Sequence, residues 1–375
     1  MSTATAGPGT GEPLGLTIDN VRKVYSSRGR ETFEAVKGMD MDIQPGELIS
    51  LLGPSGCGKT TTLRMIAGLE TVTSGDIRIG DTRINDLPPG KRNVGVGFES
   101  YALYPPLNVR ENLAYGLKAR KVPDANRQVD ALAERLEMTE LLGLRPASLS
   151  SGQKQRVALA RALIRKPPVL LLDEPLGHLD ASARQRVRRE LKLLQREFGY
   201  TTIVVTHDQL EALSLSDRMA VMNGGIIQQF GTPDEIFDDP ANQFVADFVG
   251  EPSINLFPGV VTKDGERVTV KVGEGTLLPA ATSAQDGQRV VVGMRPPDCV
   301  TGGRLTDGSG LRGEVVVFED LLEHGLASVR VPGVDSVVVV QTPADESWNR
   351  GDQIAFAAPP ERTYLFDADT GDRIR

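Results

Sequence analysis

The sequence predicts a parallel α/β domain followed by a smaller all-β domain, and three observations support this prediction. Strongly apolar segments alternate with helical segments up to about residue 250, as expected for a parallel sheet covered on both faces. From Gly259 to Arg375 the chain instead has short valine-rich segments separated by glycine and proline, which is typical of a small β-barrel. The length of 375 residues also exceeds that of one ordinary domain.

The overall composition is that of a globular protein, with 39% apolar and 25% charged residues. No apolar run approaches the roughly 18 residues that predict a membrane span. The formal net charge of −8 argues against nucleic-acid binding. Cys57 and Cys299 are far apart in the chain, so we expect no disulfide and a reducing cytosol. Residues 1–13 are small, polar and rich in glycine and threonine, so we expect a disordered tail and not a signal peptide.

The first domain divides into a parallel core, an antiparallel β subdomain near its start and a helical subdomain. Between Val109 and Leu144 the pattern is helical, with Val129, Leu132 and Leu136 at three- and four-residue steps. The predicted elements are strands at 16–21, 38–43 and 48–52, a helix at 59–67, a hairpin at 75–81, a strand at 93–99, helices within 109–144 and after 150, a strand at 169–173, a helix at 181–198 and a strand at 201–206.

The second domain is predicted from strands at 289–292, 314–318 and 337–340. The segment Glu251–Pro258 contains two prolines and is predicted to be the linker that joins the two halves. The predicted organisation is therefore a tail at 1–13, an α/β domain at 14–249 and a β-domain at 250–375.

The segment from Gly53 to Thr60 has the spacing G-x-x-x-x-G-K-T between a strand and a helix, which is typical of a phosphate-binding loop. Its glycines let successive backbone N–H groups point into one concavity, and the positive end of the helix dipole favours an anion there. Lys59 can reach the β- and γ-phosphates, and the Thr60 hydroxyl can bind Mg²⁺. A plain glycine-rich turn with a solvated lysine is the weaker alternative, so we predict a P-loop NTPase domain. The predicted nucleotide contacts are Gly53, Pro54, Ser55, Gly56, Cys57, Gly58, Lys59, Thr60 and Thr61.

Two carboxylates, Asp173 and Glu174, close the apolar strand that is predicted at 169–173. The carboxyl ends of strands are where α/β sheets bind their ligands. Asp173 suits the acid that holds Mg²⁺ beside a phosphate loop, and Glu174 is placed to accept a proton from the attacking water. Alone, the pair would indicate only a polar strand end, but Lys59 and Thr60 upstream favour the functional interpretation.

Ser150 and Gln153 precede a helix with the S-x-x-Q spacing of a capping box, so helix capping alone could explain them. The order of motifs favours a second interpretation, because it resembles the ATPase subunits of ABC transporters. The segments that carry this resemblance after the phosphate loop are Leu149–Gln153, Asp173–Pro175, Leu179–Asp180 and Thr206–Asp208.

The resemblance implies a head-to-tail ATPase dimer in which each ATP is held between two subunits. His207 occupies the position of the switch histidine that contacts the γ-phosphate, and Tyr25 resembles the aromatic residue that stacks on adenine. An ordinary exposed tyrosine at a strand end is the alternative for Tyr25. The residues implied to complete the partner's nucleotide site are Ser150, Ser151, Gly152, Gln153 and Asp180.

A closer resemblance, from about Leu16 to the C-terminus, is to the maltose-type sugar importer ATPases. It rests on Ser100–Pro105, Gly231–Pro233 and Met294–Pro297 as well as on the motifs above. It implies an OB-like regulatory fold for the C-terminal domain, ATP and Mg²⁺ as cofactors, and a location at the cytoplasmic face of the cell membrane. The implied partners are two permease subunits and, indirectly, an extracytoplasmic solute-binding protein. A coupling helix of a permease subunit is implied to dock at Tyr101–Pro105. The implied function is uptake of a sugar or related polyol.

Three positions depart from the family pattern. Glu99 stands where a glutamine is expected beside Mg²⁺ and the attacking water; it could still bind Mg²⁺ but adds negative charge. Ser151 replaces a glycine, and Gly177 replaces a serine before Asp180. These changes leave open a heterodimer in which this chain is a weakly active partner of a second ATPase. A soluble ABC protein of translation or repair is a further alternative, which the single ATPase unit with a β-domain disfavours.

Overall fold

The structure is a computed structural model that describes residues 13–26, 32–98, 100–177, 179–265, 267–281, 283–302 and 309–375. The chain forms two compact units, Met1–Pro233 and Asp234–Arg375. This division falls before residue 250, since two short helices group with the β-rich part, and the boundary at 249/250 stays a prediction. The predicted tail lies outside the described residues except for Pro13. Within the described part of the chain, no helix is both long and apolar enough to cross a membrane.

The first unit combines two sheets with a set of helices. Its strands are β1 (Leu16–Tyr25), β2 (Phe33–Ile43), β3 (Leu48–Leu52), β4 (Ser74–Ile79), β5 (Thr82–Arg83), β6 (Val94–Gly97), β7 (Val169–Asp173), β8 (Thr201–Thr206), β9 (Arg218–Asn223) and β10 (Ile226–Gly231). Its helices are α1 (Lys59–Ala67), α2 (Val109–Ala119), α3 (Ala125–Arg135), α4 (Ser151–Leu163), α5 (Ala181–Phe198) and α6 (Gln209–Leu215).

The larger sheet is the predicted parallel core. Its strands lie in the order β10-β9-β3-β8-β7-β6, and all neighbours are parallel except β9 and β10. Every residue of β3, β7 and β8 is buried, as continuous apolar strands inside a covered sheet require. The carboxyl ends of these three strands share one edge, so the segments that begin at Gly53, Glu174 and His207 emerge side by side.

The other two parts of the first unit also match the predicted fold class. The smaller sheet, β2-β1-β4-β5, is antiparallel. Helices α2, α3 and α4 contribute to one apolar cluster. The residues predicted at helical spacing, Val129, Leu132 and Leu136, are all buried in that cluster, together with Ala133 and Leu141.

The second unit carries the short helices α7 (Pro233–Asp238) and α8 (Gln243–Phe248) at its start and consists mainly of antiparallel strands after them, which confirms the all-β prediction. The strands are β11 (Asn255–Asp264), β12 (Arg267–Val272), β13 (Gly275–Leu277), β14 (Arg289–Met294), β15 (Val300–Thr301), β16 (Leu311–Asp320), β17 (His324–Arg330), β18 (Val337–Pro343), β19 (Gln353–Ala357), β20 (Thr363–Asp367) and β21 (Arg373–Ile374). One sheet has the order β13-β12-β11-β14-β20-β21, and the other has the order β15-β19-β16-β17-β18. Phe257, Val292, Val329 and Phe356 belong to their common core.

The predicted linker Glu251–Pro258 is wrong in its second half. From Asn255 the chain is strand β11, with Phe257 buried in the core of the second unit. Pro258 is tolerated because β11 is paired only with β14 at this point; its pairing with β12 begins at Val260. A proline at a half-paired position therefore does not end the strand.

Candidate active site

The loop after β3 has two positions that only glycine fits. A Cβ atom at Gly53 would lie 2.3 Å from the carbonyl oxygen of Met222, and one at Gly58 would lie 2.5 Å from that of Ala35. Gly58 also has a φ of 104°, in the left-handed region that favours glycine. Helix α1 begins at the next residue, Lys59, so the predicted phosphate loop leads directly into a helix N-terminus.

The Lys59 side chain is buried against its own loop. Its Nζ donates to the carbonyl oxygens of Gly53 at 2.6 Å and Pro54 at 3.0 Å, and it lies 3.7 Å from Cys57 Sγ. The two carbonyl oxygens offset the cost of removing the ammonium group from water. A positive charge is thus fixed at the loop that the sequence motif predicts to hold phosphates.

Thr60 and Asp173 meet between α1 and the end of β7. The Thr60 hydroxyl donates to Asp173 Oδ1 at 3.2 Å, and Asp173 is buried. Hydroxyl and carboxylate oxygens are ligands of the kind that Mg²⁺ takes, and this ion commonly keeps water and substrate phosphates as its remaining ligands. The pair therefore fits Mg²⁺ bound together with a nucleotide. The described residues include no cluster of three or more His, Cys, Asp or Glu side chains that would cage a metal by itself.

Glu174 and His207 lie side by side after β7 and β8. His207 Nδ1 is 3.1 Å from Glu174 Oε1, and the His207 side chain is 61% exposed. The Glu174 N–H donates to the carbonyl oxygen of Val205 at 2.9 Å, which continues the strand pairing by one residue. Glu174 has a φ of 47°, an uncommon conformation that occurs preferentially at functional sites. A carboxylate and an imidazole are therefore held together at the open edge of the sheet.

The segment Ser150–Gln153 begins α4 with a complete capping box. The Ser150 hydroxyl accepts from the Gln153 N–H at 3.3 Å, and Gln153 Oε1 accepts from the Ser150 N–H at 2.9 Å. Asp180 caps α5 by its side chain alone, and the hydrogen bond that it accepts from the Ala183 N–H lowers the pKa of its carboxyl. Ser150, Ser151, Gly152, Gln153 and Asp180 line one cleft of about 440 Å³, and no residue of the phosphate loop lines it.

Tyr25 lies at the end of β1, where its ring is held by two neighbours. Its hydroxyl donates to Glu70 Oε2 at 3.1 Å, and the Lys23 ammonium lies 4.7 Å from the ring centroid. Lys23 also donates to Glu70 Oε1 at 2.7 Å, which lowers the pKa of the Glu70 carboxyl. The aromatic ring is partly exposed and fixed in orientation, as a stacking surface must be.

A second cleft, of about 450 Å³, includes Tyr104, Tyr115, Arg161 and Arg165 in its lining. The rings of Tyr104 and Tyr115 are 4.8 Å apart between centroids. Arg161 donates to the carbonyl oxygens of Ala102 at 2.6 Å and Tyr101 at 3.1 Å, so the tyrosine segment is attached to α4. Burial lowers the pKa of both arginines, yet each remains a cation at neutral pH.

The predicted Mg²⁺ ligand Glu99 lies outside the described residues, and its placement stays a prediction. Sequence reasoning also missed a group of buried polar residues behind His207, in which Glu211 accepts a hydrogen bond from Thr206 at 2.7 Å. The D-x-x-E spacing of Asp208 and Glu211 was a signal that polar interactions begin α6.

Two family models match the chain. The model described as ABC transporter matches residues 36–177, and the model described as MalK OB fold domain matches residues 250–299. Among solved structures, a dimeric ATP-binding cassette in a post-hydrolysis state with ADP and phosphate is 31% identical, with a TM-score of 0.54. That match covers 58% of this chain and 98% of the other.

Relatives of known name match almost the whole chain. The sn-glycerol-3-phosphate import ATP-binding protein of a Ruegeria species is 44% identical over 361 residues, which is 96% of this chain and 99% of that protein. The trehalose/maltose import ATP-binding protein of Thermococcus litoralis is 43% identical over 379 residues, with coverages of 96% and 99%. The lactose transport ATP-binding protein of Rhizobium radiobacter is 41% identical over 373 residues, again with coverages of 96% and 99%.

Proposed function

This chain belongs to the ATP-binding subunits of ABC importers, and from that premise we propose that it energises the uptake of a sugar or related polyol. Membership makes the chain an ATPase coupled to solute import, which confirms the predicted enzyme class. The relatives are named for different solutes, yet they match this chain at similar identities of 44%, 43% and 41%. We therefore assign solute choice to the permease and the solute-binding protein and limit the proposal to a class of solute.

The contact that supports the catalytic roles best is the 3.1 Å approach of His207 Nδ1 to Glu174 Oε1 beside the phosphate loop. In the proposed mechanism the loop amides and Lys59 hold the β- and γ-phosphates of ATP. Glu174 accepts a proton from the attacking water, and His207 holds that carboxylate while it contacts the γ-phosphate. Tyr25 stacks on the adenine. Positioned charges of this kind supply most of the rate enhancement in phosphoryl transfer.

Thr60 and Asp173 are the residues that would hold Mg²⁺, with Glu99 as a further proposed ligand. Bound there, Mg²⁺ supplies positive charge that neutralises the phosphate oxygens. The 3.2 Å hydrogen bond from Thr60 to Asp173 supports this proposal, because it brings two suitable oxygen ligands together without a cluster of acids.

We further propose that each working site is shared by two chains. The cleft at Ser150–Gln153 and Asp180 presents a helix N-terminus, which suits a phosphate, but no phosphate-loop residue lines it. A homodimer is the simplest assembly, since this chain carries both the phosphate loop and the capping segment. Heterodimer formation with a second ATPase is the second candidate, favoured by the departures at Glu99, Ser151 and Gly177.

The cleft that contains Tyr104 and Tyr115 is the proposed docking site for a coupling helix of the permease. Its aromatic rings and its three arginines, Arg120, Arg161 and Arg165, offer apolar and charged contacts on one concave surface. Two permease subunits and an extracytoplasmic solute-binding protein complete the proposed importer, and the ATPase works at the cytoplasmic face of the membrane.

Mg²⁺-dependent ATP hydrolysis by the purified chain tests the proposal. We expect Glu174→Gln to lower kcat on the order of 10²–10⁴-fold while ATP still binds, because the amide cannot accept the proton. The matched control is Glu140→Gln at an exposed position, which should leave kcat unchanged. Parental turnover by Glu174→Gln contradicts the assigned role. A wild-type chain that hydrolyses ATP only with a second ATPase favours the heterodimer.

A further inference from the structure

A buried glutamate behind the catalytic edge has no part in the mechanism above. Glu211 lies in the first turn of α6 and is only 2% exposed. Burial raises the pKa of its carboxyl to about 7. Its Oε2 accepts from the Thr206 hydroxyl at 2.7 Å, while Oε1 is buried and has no hydrogen-bond partner among the described residues. Burying such a group is costly, and an apolar side chain would fill the space without that cost.

The hydrogen bonds of Glu211 close a ring around the backbone of His207. Thr206 Oγ1, which donates to the Glu211 carboxyl, also accepts from the Asp208 N–H at 3.0 Å. The Asp208 carboxylate in turn accepts from the Glu211 N–H at 3.0 Å. Thr206, Asp208 and Glu211 thus form a hydrogen-bonded ring that fixes the chain on both sides of His207. The imidazole itself is largely exposed, so its position depends on this backbone.

The hydrogen-bonded ring is also attached to the segment that leads into α5. Arg184 Nη1 donates to Asp208 Oδ2 at 3.2 Å, and Arg184 Nη2 donates to the carbonyl oxygen of Leu179 at 3.3 Å. Leu179 precedes Asp180, which belongs to the proposed interface with the partner chain. The ring therefore connects the switch histidine to the segment that faces the second subunit.

Helix capping alone does not explain Glu211. The D-x-x-E spacing predicts a capping box, in which the Glu211 carboxyl would accept from the Asp208 N–H. Here that N–H is bonded to Thr206 Oγ1, and the Glu211 carboxyl is directed to the threonine hydroxyl. The glutamate thus fixes the hydroxyl group that holds the residue after His207.

We propose that Glu211 is a positioning residue for His207 that acts through Thr206 and Asp208. The inference rests on the proposed role of His207 in ATP hydrolysis. An ionised carboxyl is the stronger acceptor for the Thr206 hydroxyl, so the hydrogen-bonded ring is tightest when Glu211 is ionised. The charged or titratable groups that act on Glu211 are Asp208, Arg184 and His207.

Three variants of the full chain separate positioning from mere structural support. Glu211→Leu and Thr206→Val each remove one partner of the 2.7 Å hydrogen bond and keep the approximate shape. We expect each to lower kcat roughly tenfold or more at unchanged ATP affinity, since small displacements of catalytic groups reduce rates strongly. The double variant should be no slower than the slower single variant, because both changes break the same ring.

Glu211→Gln provides the readout that a structural role would not change. Its amide oxygen still accepts from Thr206, so we expect kcat near the parental value at pH 8. Wild-type kcat should fall as the pH drops below about 7, where the carboxyl takes up a proton, and the glutamine variant should show a smaller fall. Glu190→Gln is the matched control, because burial also raises the pKa of that carboxyl, which is bonded to neither Thr206 nor Asp208.

The proposal is overturned if Glu211→Leu and Thr206→Val both keep the parental kcat. It is also overturned if the fold-losses in kcat of the two single variants multiply in the double variant, since the two changes would then act independently. An unaltered pH profile in Glu211→Gln also overturns it. If Glu211→Leu does not fold, Thr206→Val and the pH profile still decide. Failure of the proposed function looks different: the wild type is then inactive, or Glu174→Gln and His207→Ala turn over at the parental rate.

Discussion

Each unit of this chain buries a cation and surrounds it with backbone carbonyl oxygens, but the two cations lie in different surroundings. Lys59 in the first unit donates to two carbonyl groups of its own glycine-rich loop, at the beginning of α1. Arg295 in the second unit is 1% exposed and donates to the carbonyl oxygens of Val249 at 2.6 Å and Phe237 at 2.8 Å. Its guanidinium also lies 3.9 Å from the centroid of the Phe237 ring.

The chemistry of the two side chains accounts for this difference. A lysine ammonium is a compact charge that can exchange acceptors, whereas the planar guanidinium fork fixes several acceptors at once. Arg295 joins carbonyl groups from the ends of α7 and α8, where the helix dipoles favour a positive charge. Burial of a cation therefore does not by itself identify a functional site. What distinguishes Lys59 is its place in a glycine-rich loop at a helix N-terminus, where we propose that a phosphate binds.

Of the two buried cations, Lys59 should be the one whose replacement by alanine reduces ATP turnover. We expect a loss on the order of 10²–10³-fold in ATP turnover, as for removal of one preorganised donor to the reacting group. The buried carbonyl group of Gly53 also loses its donor, so we expect the free energy of unfolding to fall by about 1–3 kcal/mol, which is less than for Arg295→Met. Steady-state kinetics and denaturant unfolding measure the two quantities, with exposed Lys91→Ala as the control. A large loss of stability without a loss of turnover would contradict this prediction, because Lys59 would then have the structural role that we assign to Arg295.

Arg295→Met should have the opposite profile. Two hydrogen bonds from a charged group, at about 1.5–3 kcal/mol each, predict a loss of roughly 3–6 kcal/mol in the stability of the second unit. Trp348 packs against the core of that unit and is the one tryptophan of the chain, so its fluorescence reports this unfolding. ATP hydrolysis per folded molecule should persist. If Arg295→Lys were as stable as the parental chain, the planar guanidinium group would not be needed, and this explanation would be wrong.

Each unit also contains a carboxyl group whose pKa is raised by burial, and the pH dependence of stability should reveal it. Burial raises the pKa of Glu211 from 4.5 to about 7, so its contribution to stability is complete below pH 4.5 and is lost as the pH rises through 7. This shift corresponds to at most on the order of 3 kcal/mol. Hydrogen exchange at several pH values measures the stability of the first unit. In Glu211→Gln this part of the pH dependence of stability should be absent. Burial raises the pKa of Asp298 as well, so the same comparison applies to the second unit. There, Asp298→Asn should lose the corresponding pH dependence of stability, measured by the fluorescence of Trp348.

Asp369→Ala should produce the smallest effect. Arg289 and Asp369 form an ion pair at 2.7 Å, but their side chains are 72% and 75% exposed. Exposed pairs contribute about 0–1 kcal/mol, so the Trp348 unfolding curve should shift little and still less in high salt. A loss comparable to that of Arg295→Met would show that exposure does not separate these two arginines.

The parallel core was predictable because β3, β7 and β8 are continuous apolar runs next to recognisable loops, and the phosphate loop because its glycine spacing reflects a steric need. The first part of β11, from Asn255 to Pro258, was not predictable from the sequence. Only the sheet shows that one edge of the strand is unpaired at Pro258, so that a proline fits there. The hydrogen-bonded ring at Thr206, Asp208 and Glu211 escaped prediction for a different reason. Sequence spacing shows which residues can cap a helix, but not which of several acceptors a buried hydroxyl will select.

The hydrogen bonds of Lys59 bear on how tightly a nucleotide can bind. The ammonium has three donors, two of which already hold the carbonyl groups of Gly53 and Pro54, and it also lies 3.7 Å from the weak acceptor Cys57 Sγ. The loop is thus ordered before a ligand arrives, and little conformational entropy remains to be lost on binding. In the proposed binding mode a phosphate oxygen replaces the sulfur contact of Lys59, which is the weakest of its three contacts.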